Sequence, residues 1–385
     1  MTALALAEVG TRLALVDTPA LVVVQPKLDA NLQRMRTALQ QFPHITLRPH
    51  LKAHKSSYFA NAQAAAGVSA WCCQKLQEAE GILPKVPGMR DLLITNEIVG
   101  KRKVERLMSL VKEHHARTKI TVLVDDVDNC RALNAAMANA SLDDAKLHVL
   151  AEVDVGQERC GVAPGSEDLV ALARVVTEEC PHLHWSGIQC YQGKLQHVRN
   201  YEEKRQLVNG VAAKADASRT VLEENGFPCP IISGGGTGTF VLEAQAGVHN
   251  ECQPGSYVFM DVDYSKNLDQ SGQLTTDFEH SLFVHTTIMS KPTATRLVVD
   301  AGMKAVSLDS GPPIVVALHD DGSFTSCAEE VAWDARGRGK SVVGDTLQLI
   351  PGHCDPTVNL YDQYVVIADG VVTALPPIEG RGPGV

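Results

Sequence analysis

The stretch Thr46-Leu-Arg-Pro-His-Leu-Lys-Ala-His-Lys55 decides where the fold would place its chemistry, because basic and apolar residues alternate along it. An extended chain would put the basic side chains on one face, and burying such a face is costly unless the charges have partners. The other interpretation is a solvated loop that turns at Pro49 between a helix and a strand. The basic residues concerned are Arg48, His50, Lys52 and His54. This stretch alone is compatible with both a functional site and a solvated loop, and the patterns in the rest of the sequence distinguish them.

The length and charge of the chain limit its partners. At 385 residues it is too long for one ordinary domain, so we expect two domains, or one large barrel with an appendage. A net charge of −10 and no basic block longer than Lys101-Arg-Lys103 argue against binding to nucleic acid or to an anionic membrane surface. No apolar run approaches the roughly 20 residues of a membrane span. Small molecules are therefore the expected partners.

The ten cysteines are scattered along the sequence and include no Cys-x-x-Cys pair. In a chain of this length, such a pattern favours reduced thiols over a disulfide framework. Met1 to Gly10 lacks the basic segment of a signal peptide. We therefore expect a cytoplasmic protein, with a processed organellar form as the alternative.

From about residue 18 the chain repeats one unit, a short strand rich in β-branched or aromatic residues followed by a stretch with helical period. Such repetition predicts parallel βα units. The predicted strands span residues 20–24, 45–50, 68–73, 91–95, 120–124, 146–153, 184–190, 230–233 and 255–261. Nine strands are one too many for a closed barrel of eight.

After about residue 265 the pattern changes to strands separated by turns such as Asp320-Asp321-Gly322, with almost no helical period. This change predicts a C-terminal β domain. If the first strand also belongs to that domain, the eight remaining strands close an α/β barrel of the (β/α)8, or TIM, type. The predicted division is therefore 1–26 for the N-terminal strand, 27–262 for the barrel and 263–385 for the β domain. Active groups then belong at the C-terminal ends of the barrel strands, where Lys52 lies.

Two loops at predicted strand ends carry groups that could contact a ligand. In Glu152-Val-Asp-Val-Gly-Gln-Glu-Arg159-Cys-Gly161, glycines on both sides of Arg159 suit a guanidinium that is aimed at a ligand. The alternative is a surface arginine paired with Glu158. The next loop brings Tyr191 and His197 close together, although either side chain alone is more often a packing residue.

Two further loops suggest a phosphate and a metal ion. The run Ser233-Gly-Gly-Gly-Thr-Gly-Thr239 follows a strand and exposes consecutive backbone N–H groups that can surround a phosphate, although a flexible turn would look the same. It matches neither the dinucleotide nor the Walker pattern. In Pro351-Gly-His-Cys-Asp-Pro356, His353 and Asp355 could bind a divalent cation, or simply bond to each other in a turn.

Taken together and in this order, these motifs resemble the D-threonine aldolase group of the fold-type III pyridoxal phosphate (PLP) enzymes, which have the alanine-racemase-like fold. The resemblance covers about residues 18 to 375. The segments that carry it are Thr18-Pro-Ala20, Arg48-Pro-His-Leu-Lys-Ala-His-Lys55, Gly156-Gln-Glu-Arg-Cys-Gly161, Ser233-Gly-Gly-Gly-Thr237, Pro254-Gly-Ser-Tyr257 with Asp261, and His353-Cys-Asp355.

The resemblance implies a role for each motif. Lys52 would form the Schiff base with PLP, Arg159 would approach the pyridine nitrogen, and Tyr191 would lie beside the ring. The serine- and glycine-rich loop would hold the phosphate, and the family is homodimeric. The full predicted cofactor-binding set is Lys52, Gln74, Arg159, Tyr191, Ser233, Gly234, Gly235, Gly236, Thr237 and Tyr257.

The activity implied by the resemblance is that of a carbon–carbon lyase, which would cleave D-threonine and related D-β-hydroxy-α-amino acids to glycine and an aldehyde. His353 and Asp355 would bind the metal, with Mn²⁺ or Mg²⁺ favoured and Co²⁺ or Zn²⁺ as further candidates. His197 is the candidate general base, directly or through water. D-Serine dehydratases of the same group carry His-x-Cys in place of His-x-Asp, and dehydration of D-serine or D-3-hydroxyaspartate is the nearest alternative activity. An amino-acid racemase and a non-catalytic PLP carrier are more distant ones.

Overall fold

Two sheets organise the chain, which a computed structural model describes over residues 7–142, 144–293, 296–318, 324–326 and 342–384. The first strand of the chain, β1 (Ala20–Val24), belongs to the second of these sheets. The turn predicted at Asp320-Asp321-Gly322 lies outside the described residues. The boundaries at residues 26 and 262 stay a prediction.

The barrel sheet contains the next eight strands of the described chain. They are β2 (Thr46–Leu47), β3 (Ala70–Cys73), β4 (Asp91–Glu97), β5 (Lys119–Val124), β6 (Leu147–Glu152), β7 (Leu183–Gln189), β8 (Ile231–Gly234) and β9 (Glu251–Cys252). All pairings are parallel, in the order β2-β9-β8-β7-β6-β5-β4-β3. A parallel bridge between His50 and Cys72 joins the two ends of this series and nearly closes the barrel. The predicted (β/α)8 architecture is confirmed.

Helices follow the barrel strands, and most of them pack apolar residues against the strands in one continuous core. Leu28 and Met35 of the first helix and Phe240 of the last belong to a second core, which the barrel shares with the β domain. They begin where side chains can cap them: Asp126, Ser166 and Asn200 each accept the N–H group three residues further on, at 2.8, 3.4 and 2.9 Å. The helices of this part are α1 (Gln25–Leu39), α2 (Ser57–Ala65), α3 (Leu76–Ile82), α4 (Lys101–His114), α5 (Val127–Asn139), α6 (Glu167–Arg174), α7 (Tyr201–Glu224) and α8 (Phe240–Ala246). None of the described helices is long and apolar enough to cross a membrane.

The second sheet forms the β domain and takes in β1, which pairs with β10 in antiparallel and with β15 in parallel fashion. This placement removes the surplus ninth strand from the barrel, as predicted. The other members are β10 (Leu282–Thr293), β11 (Arg296–Val299), β12 (Ile314–Leu318), β13 (Phe324–Ser326), β14 (Thr346–Ile350), β15 (Val365–Ala368) and β16 (Val371–Ala374). A short helix, α9 (Cys354–Val358), follows β14.

The prediction that residues 255–261 form the last barrel strand is wrong. The strand is β9, and the chain then turns at Pro254 and Gly255 into a 3-10 helix over Ser256–Val258. The apolar side chains of Tyr257 and the residues after it pack in a core shared with the β domain instead of in the sheet. A short apolar run cannot distinguish these two kinds of burial.

The prediction that the basic side chains of residues 46–55 share one face of an extended chain is also wrong beyond His50. The chain leaves the extended conformation there, and Leu51–Ala53 forms a 3-10 helix. Arg48 points into the barrel interior and His54 is fully buried, so that Lys52 faces the cavity without them. The stretch is nevertheless not a solvated loop.

Candidate active site

A cavity of about 340 Å³ lies at the C-terminal ends of the barrel strands, where the β domain covers them. Its volume is in the range of small-molecule sites. The predicted site residues that the structure brings together around it are Lys52, Gln74, Arg159, Tyr191, Gly236, Thr237, His353 and Asp355. Residues from the two sheets therefore meet in one site.

Lys52 extends into this cavity with 36% of its side chain exposed, and its Nζ lies 3.7 Å from Asp355 Oδ2. Burial opposes the charge of the amine, but Asp355 and Tyr191 outweigh it and raise the pKa of Lys52 above its ordinary value. The neighbouring Lys55 is held by Glu78 at 2.8 Å. Of the two lysines in the stretch, Lys52 is the one that faces the carboxylate of the β domain.

His50 fixes the turn that carries Lys52. Its Nδ1 accepts the backbone N–H of Lys52 at 3.3 Å, so its Nε2 carries the proton and donates to Thr95 Oγ1 at 3.2 Å. Thr95 in turn donates to the carbonyl of Cys73 at 3.1 Å. Burial first, and the charge of Lys52 second, hold the pKa of His50 well below its ordinary value. His50 is thus a neutral support of the lysine.

Arg159 lines the cavity from the loop after β6. The alternative pairing with Glu158 is not observed, because Glu158 binds Lys194 at 3.2 Å. Arg159 Nη2 lies instead 3.8 Å from Glu152 Oε1. Gly161 has φ of 104°, and a Cβ there would meet Glu152 O at 2.9 Å, so the loop requires a glycine at this position.

Only part of the serine- and glycine-rich loop reaches the cavity. Gly236 and Thr237 line it, whereas Ser233 is fully buried and donates to Glu251 Oε1 at 2.7 Å. Tyr257 is buried too: its hydroxyl accepts Gln63 Nε2 at 3.0 Å, and its backbone N–H donates to Thr237 Oγ1 at 3.1 Å. Contacts between PLP and those predicted cofactor-binding residues that do not line the cavity stay a prediction. The members that do not line the cavity are Ser233, Gly234, Gly235 and Tyr257.

The sequence interpretation missed Gly255 and Ser256, which line the cavity next to this loop. Within the described chain, the backbone N–H groups of Thr237, Gly255 and Ser256 have no protein acceptor. Free N–H groups that converge on one place form an anion site. The segment Pro254-Gly-Ser-Tyr257 was the available signal, but its apolar neighbours predicted a strand.

The loop Pro351-Gly-His-Cys-Asp-Pro356, which is called the metal loop below because of its predicted function, is held in place by a buried hydrogen bond. Asp261 Oδ2 accepts the backbone N–H of Cys354 at 2.9 Å, and the Cys354 side chain is fully buried in the core. His353 and Asp355, on either side of it, line the cavity. His353 Nδ1 lies 2.7 Å from Asp309 Oδ2, which leaves Nε2 for another ligand. A nitrogen and a carboxylate oxygen on one face suit a divalent cation.

His197, the predicted general base, is not among the residues that line the cavity. It is hydrogen bonded to Asp263 and half-exposed. Its ring centre lies 6.4 Å from that of Tyr264, which does line the cavity. Its function as a base stays a prediction.

Comparisons with known proteins agree with the fold described above. Residues 24–263 match the family described as alanine racemase, N-terminal domain, and residues 281–367 match the putative serine dehydratase domain. D-Threonine aldolase of Arthrobacter sp is 40% identical over 381 residues, which cover 98% of this chain and 96% of the relative. 3-Hydroxy-D-aspartate aldolase of Paracoccus denitrificans (strain Pd 1222) is 37% identical, with 96% and 93% covered. The crystal structure of D-threonine aldolase from Filomicrobium marinum superimposes with a TM-score of 0.85 at 34% identity, over 98% of this chain and 99% of that one.

Proposed function

Because the chain belongs to the alanine-racemase-like family, and within it to the D-threonine aldolase group, we propose that it cleaves D-threonine and related D-β-hydroxy-α-amino acids. The products are glycine and an aldehyde, which makes the enzyme a carbon–carbon lyase. One observation carries this proposal: Lys52 of the barrel and Asp355 of the metal loop face each other across one cavity, 3.7 Å apart. A carbonyl-binding amine and a cation ligand then act on the same small substrate.

The residues around the cavity fit PLP. The free N–H groups of Thr237, Gly255 and Ser256 suit its phosphate, and Lys52 is the amine that would carry its aldehyde. Arg159 would face the aromatic nitrogen and Tyr191 would lie beside the ring. When bound, PLP supplies an electron sink for the pair released from the Cα–Cβ bond.

The metal loop fits a divalent cation with open coordination positions. His353 and Asp355 would hold it, and we propose Mn²⁺ or Mg²⁺, with Co²⁺ and Zn²⁺ also suited to this pair. Such an ion lowers the pKa of a hydroxyl group and helps to orient it. By holding the ion, His353 and Asp355 would orient the Cα–Cβ bond of the substrate for cleavage. His197 remains our candidate for the group that takes the hydroxyl proton.

The position of Cys354 supports an aldolase over a dehydratase. The dehydratases of the group carry His-x-Cys, and here the only cysteine of the loop is buried in the core while Asp355 faces the cavity. The metal loop also speaks against a racemase, which needs an acid or base where this loop lies, and against a non-catalytic PLP carrier.

We further propose a homodimer in the cytoplasm. Exposed apolar side chains of the β domain support the dimer, because Leu308 and Leu360 lie next to the cavity residues Asp309 and Asn359. The nine cysteines in the described part of the chain are free, which fits the compartment.

An assay of D- and L-threonine, each with and without EDTA, tests the proposed reaction. We expect acetaldehyde and glycine from D-threonine but not from L-threonine. Turnover should be lost after chelation with EDTA and recovered when Mn²⁺ is added. A keto acid and ammonia in place of these products would establish dehydration. Full turnover after exhaustive chelation would remove the cation from the mechanism.

A further inference from the structure

Glu152 lies at the C-terminal end of β6, between the cavity and the interior of the barrel. It is 3% exposed. One of its oxygens, Oε1, is 3.8 Å from Arg159 Nη2, and the other, Oε2, accepts Gln189 Nε2 at 2.7 Å. This carboxyl group is therefore the link between the cavity arginine and the buried polar groups of the barrel.

Those buried groups form a continuous series that holds Glu152 in one orientation. Gln189 Oε1 accepts Gln253 Nε2 at 2.8 Å, and the same nitrogen donates to Ser233 Oγ at 2.7 Å. Ser233 then donates to Glu251, which also accepts Arg48 Nη2 at 2.8 Å. A satisfied buried network of this kind is rigid.

Arg159, in contrast, has few constraints. About half of its side chain is exposed, and within the described chain Glu152 is its one ion-pair partner. The 3.8 Å between Arg159 Nη2 and Glu152 Oε1 is too long for a hydrogen bond. The position of the guanidinium therefore depends on Glu152 and on what occupies the cavity.

The surroundings of Glu152 make its charge state variable near neutral pH. Burial first, and the carboxylate of Glu97 second, raise its pKa to about 8, against the opposing charge of Arg159. The other titratable groups that face it are Asp125, after β5, and Cys190, after β7. Below about pH 8 the group is protonated, and above it the group is ionised.

We propose that Glu152 is a positioning residue that controls Arg159 through its protonation state. Protonated Glu152 leaves the guanidinium free to face the aromatic nitrogen of the bound cofactor, and ionised Glu152 draws it back toward β6. This inference rests on the proposed function, because it requires PLP in the cavity. In this proposal, Glu152 acts together with Arg159 on the aromatic nitrogen of the cofactor, and it links that nitrogen to the polar groups in the barrel interior.

The test is a pH titration of the absorbance spectrum of the PLP-loaded enzyme, without substrate, between about pH 6 and 9.5. We expect a transition with its midpoint near the pKa of Glu152 in the wild type. Glu152→Gln, which is isosteric and keeps an acceptor for Gln189, should lose this transition and keep the low-pH spectrum throughout. Arg159→Leu should also lose it, because the transition acts through the guanidinium.

Glu97→Gln is the matched control, since it removes a charge beside Glu152 without removing Glu152. It should keep the transition and lower its midpoint by about half a pH unit or more. An unchanged transition in Glu152→Gln, with bound PLP, would refute this inference and leave the proposed function standing. A protein that does not bind PLP at all would overturn both.

Discussion

His353, a proposed metal ligand, is hydrogen bonded to an aspartate that lies 44 positions earlier in the chain. Asp309 Oδ2 binds His353 Nδ1 at 2.7 Å, while the hydroxyl groups of Ser307 and Ser310 donate to the Asp309 carboxylate at 2.9 and 3.2 Å. A carboxylate on one imidazole nitrogen fixes the tautomer and makes the other nitrogen a better metal ligand. In the proposed metal site, Asp309 would thus orient His353 from outside the loop that carries both ligands.

Replacing Asp309 should weaken metal binding without removing a ligand. For Asp309→Asn we expect the dissociation constant for Mn²⁺ to rise by about 10- to 100-fold, because the amide is a poorer acceptor for the imidazole proton. Isothermal titration of the metal-free protein with Mn²⁺ measures this change, and the absorbance of bound PLP should stay the same. Asp269→Asn, a change in an exposed turn, is the control. Equal Mn²⁺ affinity in the two variants would contradict the function assigned to Asp309.

At the scale of elements, the repeating βα units could be predicted from the sequence. Segments whose conformation depends on contacts with residues far away in the chain could not. The βα units were predictable because strand and helix each impose a period on the apolar residues. The end of the barrel was not, because Tyr257 and Phe259 are buried against the β domain and not within a sheet. The loop after β8 was predicted as a phosphate site, but its composition could not show that Ser233 turns inward to Glu251.

The loop after β8 should bind PLP only with a glycine at position 236. A Cβ there would lie 2.6 Å from Gln196 Oε1, the atom that accepts the N–H of Gly238 at 2.8 Å. Gly236→Ala should therefore displace Gln196 and the loop, and raise the dissociation constant for PLP by at least about 10-fold. Equilibrium dialysis of the apoenzyme against PLP measures it.

Gly210→Ala is the control for this change. Gly210 lies in α7, where an added Cβ meets nothing within 4 Å. This variant should bind PLP normally and gain about 0.5–1 kcal/mol in the free energy of unfolding. Normal PLP affinity in Gly236→Ala would show that the loop can move without loss of the site.

At the scale of the whole molecule, the β domain and the C-terminal segment hold the segment around Lys52 by hydrogen bonds. The hydroxyl of Tyr364 donates to the carbonyl of His54 at 2.6 Å, and the backbone N–H of Gly380 donates to the carbonyl of Lys55 at 2.9 Å. These partners are more than 300 positions apart. Sequence motifs predicted Lys52 as the residue that binds PLP, but they could not reveal contacts across such a separation.

Tyr364→Phe should therefore destabilise the chain and loosen the turn that carries Lys52. The change leaves the buried carbonyl of His54 without this donor, so we expect a loss of about 1–2 kcal/mol in the free energy of unfolding, together with faster release of PLP. Urea denaturation measures the first effect, and dilution of the holoenzyme measures the second. Tyr361→Phe is a matched control, because the Tyr361 hydroxyl is buried without a hydrogen-bond partner in the described chain. Removing the Tyr361 hydroxyl should not lower the free energy of unfolding and can even raise it. Equal losses of this free energy in the two variants would mean that the hydrogen bond from Tyr364 to His54 does not hold the two parts together.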